Sequence, residues 1–129
     1  EAIFLKGSNL TKYRITYSNT KGKRNRTVPI SEDLYNQIYK PTNDRLFTCS
    51  YRVVYKWLRV ALPHLPEGQA THVLRHTFAS HFMSNGGNIL VLKEILGHKM
   101  IDHTMIYAHF SPSHLSDAVR FNPLVNLNI

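Results

Sequence analysis

Two residues in the stretch THVLRHTFASHF have the types and spacing for work on a phosphate. His72 and Arg75 stand three apart, so on a helix they project from one face. Thr71 suits an N-cap, which puts both in the first turn, where free N–H groups and the helix dipole favour an anion. A guanidinium can fork two N–H bonds onto two phosphate oxygens, and an imidazole beside it can move protons near neutral pH. Taken alone, the pair reads as a surface His and a surface Arg next to a capped helix end. Further residues add to it. Gly97-His98 follows an apolar segment, Tyr107 comes nine positions after His98, and Lys21 and Lys23 lie in a basic turn. Tyr107 by itself, between Ile106 and Ala108, reads as a core aromatic.

The elements that must position these residues are legible from periodicity. KYRITYS (12–18) alternates with period two and is rich in Tyr, Ile and Thr, a strand signal. NTKGK (19–23) is a turn, and RNRTVPI (24–30) the return strand of a hairpin with a cationic tip. Ser31, followed by Glu32 and Asp33, caps a helix over about 31–39. A second helix spans about 50–62, with Val53, Val54, Trp57, Leu58 and Ala61 as its core stripe. Residues 63–70 form a loop. The helix from Thr71 ends at Gly86-Gly87; Asn88 caps the next, which offers Leu90, Val91, Ile95 and Leu96 for burial and closes at Gly97. A short helical span over 101–109 and a final helix over about 112–120 follow. The expected fold class is α+β, mostly helical, with a small antiparallel sheet, in a single domain over 1–129 whose residues 110–129 are a C-terminal helix and tail.

Charge narrows the partners. Sixteen Lys and Arg against eight acidic residues leave a formal net charge of +8, which favours polyanions, nucleic acid first. Lys12, Lys23, Arg24 and Arg26 are candidates for contact with a nucleic-acid backbone, contacts that are mostly sequence-independent. Arg52, Lys56 and Arg59 form a second basic face opposite the apolar stripe of their helix, equally a groove-facing surface or a wet one. The single cysteine, Cys49, excludes an internal disulfide and suits a reducing cytoplasm; its apolar setting suggests a buried thiol. No apolar run approaches the ~20 residues that span a bilayer, so no membrane partner is expected. His72 and His76 have the i, i+4 spacing of a zinc pair, but Val73 stands where a zinc protease carries Glu and no Cys pair exists. No metal and no cofactor are expected, and His81, His103, His109 and His114 read as packing or surface residues.

Together the motifs resemble those of tyrosine recombinases of the phage integrase class. THVLRHTFASHF is similar to their HxxRH box, LKEILGHKMIDHTMIYAH to their LGH box followed by the nucleophilic Tyr, and TKGKRNRTVPIS to their hairpin, with Lys21 eight residues before Pro29. The resemblance covers essentially the whole chain and is nearest to integrases of temperate bacteriophages. It implies site-specific DNA cleavage and rejoining during phage or prophage integration and excision. Tyr107 would attack the scissile phosphate and form a 3′-phosphotyrosyl link. Arg75 would clamp the non-bridging oxygens, His72 assist proton transfer at the Tyr, His98 hydrogen-bond the phosphate, and Lys21 protonate the leaving 5′-oxygen. Implied partners are duplex DNA, further copies of the protein docked through the tail FNPLVNLNI, and accessory DNA-bending proteins; the implied setting is a bacterial cytoplasm, at the nucleoid.

The family's second catalytic Arg belongs to an Arg-x-Ser-Glu motif whose Glu matches Glu1, which would place that Arg two residues before the first. The expectation is therefore an N-terminally truncated catalytic domain, inactive as this piece alone. The competing reading is a non-catalytic DNA-binding or assembly remnant, against which stand the intact Lys21, His72, Arg75, His98 and Tyr107.

Overall fold

A computed structural model of the chain describes residues 1–18, 25–112 and 117–123. Lys21, Lys23 and Arg24, and the tail beyond residue 123, lie outside the described residues. The described elements are β1 (Leu10–Thr11), β2 (Arg14–Tyr17), β3 (Arg26–Pro29), α1 (Glu32–Ile38), α2 (Tyr51–Ala61), α3 (His72–Ser84), α4 (Ile89–Leu96), α5 (Asp102–Met105) and α6 (Asp117–Arg120), with 3-10 turns at Ala2–Phe4, Gly7–Asn9 and Ala108–Phe110. The mostly helical α+β class stands.

The sheet is antiparallel in the order β1-β2-β3, with Ile15 opposite Val28 and Tyr17 opposite Arg26. The strand expected from residue 12 starts at Arg14. Lys12 and Tyr13 instead form the tight turn from β1 into β2, with Tyr13 at φ 63°; such two-residue turns need left-handed backbone. Tyr13 is steadied by an edge-on contact with Tyr35, ring centroids 5.8 Å apart. Behind the sheet, Leu5, Leu10, Ile15 and Leu46 form one buried cluster, to which α1 adds Tyr35 and Ile38. Ser31 caps α1 by accepting from the Leu34 N–H at 3.2 Å.

A second cluster holds the helices together: Ala79 and Met83 of α3, Leu92 and Leu96 of α4, and Tyr107. Two expectations are corrected here. On α4 the buried stripe is Leu92 and Leu96, four apart, while Leu90 and Val91 are exposed; the apolar residues run almost all around this helix, so periodicity alone left its phase open. On α2 nothing is buried, and Trp57 is 62% exposed. Its stripe has core spacing, yet Val54 and Leu58 are only half-buried; past its end the chain turns where the Arg59 guanidinium donates to the Leu65 carbonyl. Cys49 is a free thiol, half-buried rather than fully enclosed.

Helix ends follow local chemistry. Asn88 caps α4 through the N–H groups of Leu90 and Val91, at 2.8 and 3.4 Å. Thr71 stands at the N-cap of α3 but makes no side-chain cap bond, because its backbone is already helical (φ −68°, ψ −16°), not extended as a capping residue needs. Gly97 ends α4 at φ 71°, the left-handed conformation that Gly adopts without a Cβ penalty. Among the described residues no helix is long and apolar enough to cross a membrane.

Candidate active site

The site forms where the inner stripe of α3 changes character. His72, His76, Ala79 and Met83 follow one another at steps of four, three and four along the helix, so they share a face. Its C-terminal half is apolar and enters the helical core; its N-terminal half is ionisable. Tyr107 spans the change. Its residue is only 4% exposed and its ring packs in the core cluster, while the hydroxyl meets His76 Nδ1 at 2.5 Å. A buried Tyr normally finds such a partner for its polar tip.

Arg75 adjoins this pair. One arm of its guanidinium donates to the Leu96 carbonyl at 2.5 Å, and Arg26 from β3 donates to the same oxygen at 3.0 Å. Leu96 is the last residue of α4, where carbonyls lack helical partners and the dipole favours cations. Burial depresses the Arg75 pKa first, Arg26 depresses it further, and Tyr107 and Glu1 oppose this. A guanidinium stays charged through such shifts, so the pocket keeps a fixed cation beside the Tyr107 ring.

Arg26 is better placed as scaffold than as an outward DNA contact. It pairs with Glu1 at 2.6 Å and lies over the Tyr17 ring, 4.8 Å from its centroid, with its side chain 17% exposed. It thereby joins the sheet cluster to the end of α4. Glu1, matched above to the Arg-x-Ser-Glu motif, thus lies at the same pocket.

His98 follows Gly97 directly. Its Nδ1 meets Thr104 Oγ1 at 2.8 Å, and Thr104 is fully buried. Burial, then the charges of Arg75, His103 and Arg26, push the His98 pKa below its usual value, which favours the neutral ring. If the Thr104 hydroxyl donates to Nδ1, Nε2 carries the proton and can donate to a phosphate oxygen.

The structure thus brings Tyr107, Arg75 and His98 to one pocket, with the exposed His72 one turn before Arg75. Lys12 is not brought there: it lies at the β1–β2 turn, at the opposite end of β2 from Tyr17 and Arg26. The strands flanking Lys21, Lys23 and Arg24 end at Tyr17 and begin at Arg26, beside the pocket. The sequence places His76 in the HxxRH box and at zinc-pair spacing but names no partner for it, and it does not single out Thr104. The signal for His76 was its place on the stripe that continues into Ala79 and Met83; Thr104 had none, since its role depends on how α5 folds back. Among the described residues no group of three or more His, Cys, Asp or Glu side chains could hold a metal ion.

Known proteins share this arrangement of sequence and fold. A family model described as the phage integrase family matches residues 1–114. The integrase of Escherichia phage 186 is 58% identical over 127 residues, covering 98% of this chain and 38% of that protein. The integrase of Haemophilus phage HP1 is 59% identical over 126 residues, covering 98% and 37%. Among solved structures, the catalytic domain of bacteriophage HP1 integrase matches with a TM-score of 0.86 and 58% identity over 96% of this chain and 73% of that one. The chain spans well under half the length of these curated relatives.

Proposed function

Since the chain belongs to the phage integrase family, we propose that the protein is a tyrosine site-specific recombinase that cuts and rejoins duplex DNA during phage or prophage integration and excision. The observation that carries this reading is the meeting of Tyr107 and Arg75 with His98 around the end of α4. We assign residues 1–129 to the catalytic domain, with 110–129 as its C-terminal helix and tail.

The chemistry follows from the residue types. Tyr107 Oη attacks the scissile phosphorus, a 3′-phosphotyrosyl bond forms, and the 5′-oxygen leaves as a hydroxyl. The transition state spreads negative charge over phosphate oxygens, where preorganised cations and donors contribute most. Arg75 supplies the fixed cation and His98 a neutral donor. His72, exposed at the start of α3, is assigned to assisting proton transfer at Tyr107, and Lys21 to protonating the leaving 5′-oxygen. The covalent link conserves the phosphodiester for rejoining, when a 5′-hydroxyl attacks it and releases Tyr107. No step in this scheme needs a metal or an organic cofactor.

The partners we assign are attachment-site DNA, accessory DNA-bending proteins, and further copies of the protein engaged through residues 121–129; the setting is the host nucleoid. Lys12, Lys23 and Arg24 are assigned to sequence-independent contacts with the DNA backbone. The test is a covalent protein–DNA adduct on a nicked duplex, made with the full-length protein. The adduct is expected with the native sequence and absent with Tyr107→Phe; an adduct that persists in that variant would remove the nucleophile assignment.

A further inference from the structure

Two guanidinium groups converge on one oxygen at the end of α4: the Leu96 carbonyl accepts from Arg26 at 3.0 Å and from Arg75 at 2.5 Å. We propose that Arg26 is a positioning residue for strand cleavage: by holding that carbonyl from the sheet side, it fixes the direction in which Arg75 presents its guanidinium to the scissile phosphate. This rests on Arg75 being the phosphate clamp of the proposed reaction.

Arg26 is itself held by several contacts. Its second arm pairs with Glu1 at 2.6 Å, and its guanidinium lies 4.8 Å from the centre of the Tyr17 ring. Its Nε is buried and has no hydrogen-bond partner among the described residues. A buried donor left unmet is costly, so the other contacts, not Nε, dictate where this side chain sits. The turn after α4 is shaped around it too. A Cβ on residue 97 would lie 2.6 Å from Arg26 Nη1, so the glycine there is what admits the guanidinium. Arg26 is engaged on both arms, and its effect on a phosphate therefore passes through its neighbour.

That neighbour is Arg75. A carbonyl oxygen offers two lone pairs; Arg26 occupies one, which leaves the Arg75 arm a single defined seat. The two cations also repel. Arg26 is among the causes that lower the Arg75 pKa, after burial, while Tyr107 and Glu1 act in the opposite sense. Repulsion turns the rest of the Arg75 fork away from Arg26, and attraction draws it to the Tyr107 side, where the phosphate is attacked. The fork is thus set before the substrate arrives, and preorganised donors need no rearrangement as charge develops on the phosphate oxygens. A Lys at position 26 could keep the charge, but not bond Leu96 and Glu1 together as a rigid fork does.

The experiment uses the full-length protein and a nicked duplex whose scissile phosphate carries a bridging 5′-sulfur, a good leaving group that keeps slow variants measurable. Arg26→Met and Arg26→Lys should each slow adduct formation at saturating DNA by about 10- to 10²-fold, the scale of a mispositioned catalytic group. Their dissociation constants for the duplex should stay within about threefold of native, because Arg26 acts on the rate and not on DNA binding. In an Arg75→Lys background, which lacks the fork that rests on Leu96, Arg26→Met should slow the reaction by less than about threefold. Assays well below each variant's melting temperature keep loss of fold out of the rates; if Arg26→Met does not fold, Arg26→Lys carries the test. The proposal is overturned if a folded variant forms adduct within about threefold of the native rate, if the loss appears in DNA affinity alone, or if the Arg75→Lys background suffers the same loss in rate. A fully active Arg75→Ala would remove the clamp on which the proposal stands, whereas a slow Arg75→Ala beside a fully active Arg26→Met removes only the role of Arg26.

Discussion

Alanine at position 97 should loosen the joint between the sheet and the site, and the structure says by how much. Gly97 has φ 71°, and a Cβ there would lie 2.6 Å from Arg26 Nη1 and 3.0 Å from its Cδ. The left-handed backbone alone costs an L-residue about 1 kcal/mol. Arg26 must also move, and it is not free to do so cheaply, since it donates to the Leu96 carbonyl and pairs with Glu1. Losing a hydrogen bond from a charged donor costs about 1.5–3 kcal/mol, while the half-exposed pair with Glu1 adds little. The total for Gly97→Ala is about 3 kcal/mol, of which about 2 belongs to the collision with Arg26. Urea unfolding of Gly97→Ala, Arg26→Ala and the double variant resolves the two parts. In the Arg26→Ala background, Gly97→Ala should cost only about 1 kcal/mol, a coupling of about 2 kcal/mol. Equal costs in the two backgrounds, to about 0.5 kcal/mol, would refute the claim that Arg26 braces the end of α4.

Other expectations follow from the same geometry. His98 has a folded-state pKa below its usual value, chiefly from burial, so the unfolded chain binds the proton more readily. Its contribution to stability is complete above about pH 6.5 and is lost as pH falls through the unfolded pKa toward the folded one; His98→Gln should flatten the melting temperature across that window, and an unchanged slope would contradict it. Thr104→Val keeps the shape of a fully buried residue but removes the hydroxyl that orients His98. It should cost about 1–2 kcal/mol and slow adduct formation, whereas native cleavage rates would show that His98 needs no such support. Leu92→Ala, at a fully buried position, should cost about 2–5 kcal/mol, while Trp57→Ser on the exposed face of α2 should change the unfolding free energy of this chain by no more than about 0.5 kcal/mol. The reverse order in urea midpoints would mean that the two helices have been given the wrong faces.

Helix and strand positions were readable because caps and breakers are local. Ser31, Asn88 and Gly97 mark real boundaries, and each acts through its own side chain or its own φ. The faces of helices were less readable. On α2 the apolar stripe has helical spacing, but burial needs an opposing surface, and spacing carries no information about one. On α4, where apolar residues run almost all around, only docking against α3 decides that Leu92 and Leu96 go inside.

The sequence by itself determined the chemical cast: the HxxRH box, Gly97-His98 and Tyr107, in an order and spacing specific enough to name a family. It also determined the basic charge that suits a polyanion. Tertiary structure alone decided the partners within that cast. His76 meets Tyr107 across 31 residues of chain, Arg26 reaches Leu96 across 70, and Thr104 turns a buried hydroxyl to His98. Such contacts depend on how separate elements pack, and packing is cooperative over the whole domain. Residue types therefore point to phosphate chemistry, while the contacts that join and brace these side chains exist only once the helices and the sheet have met.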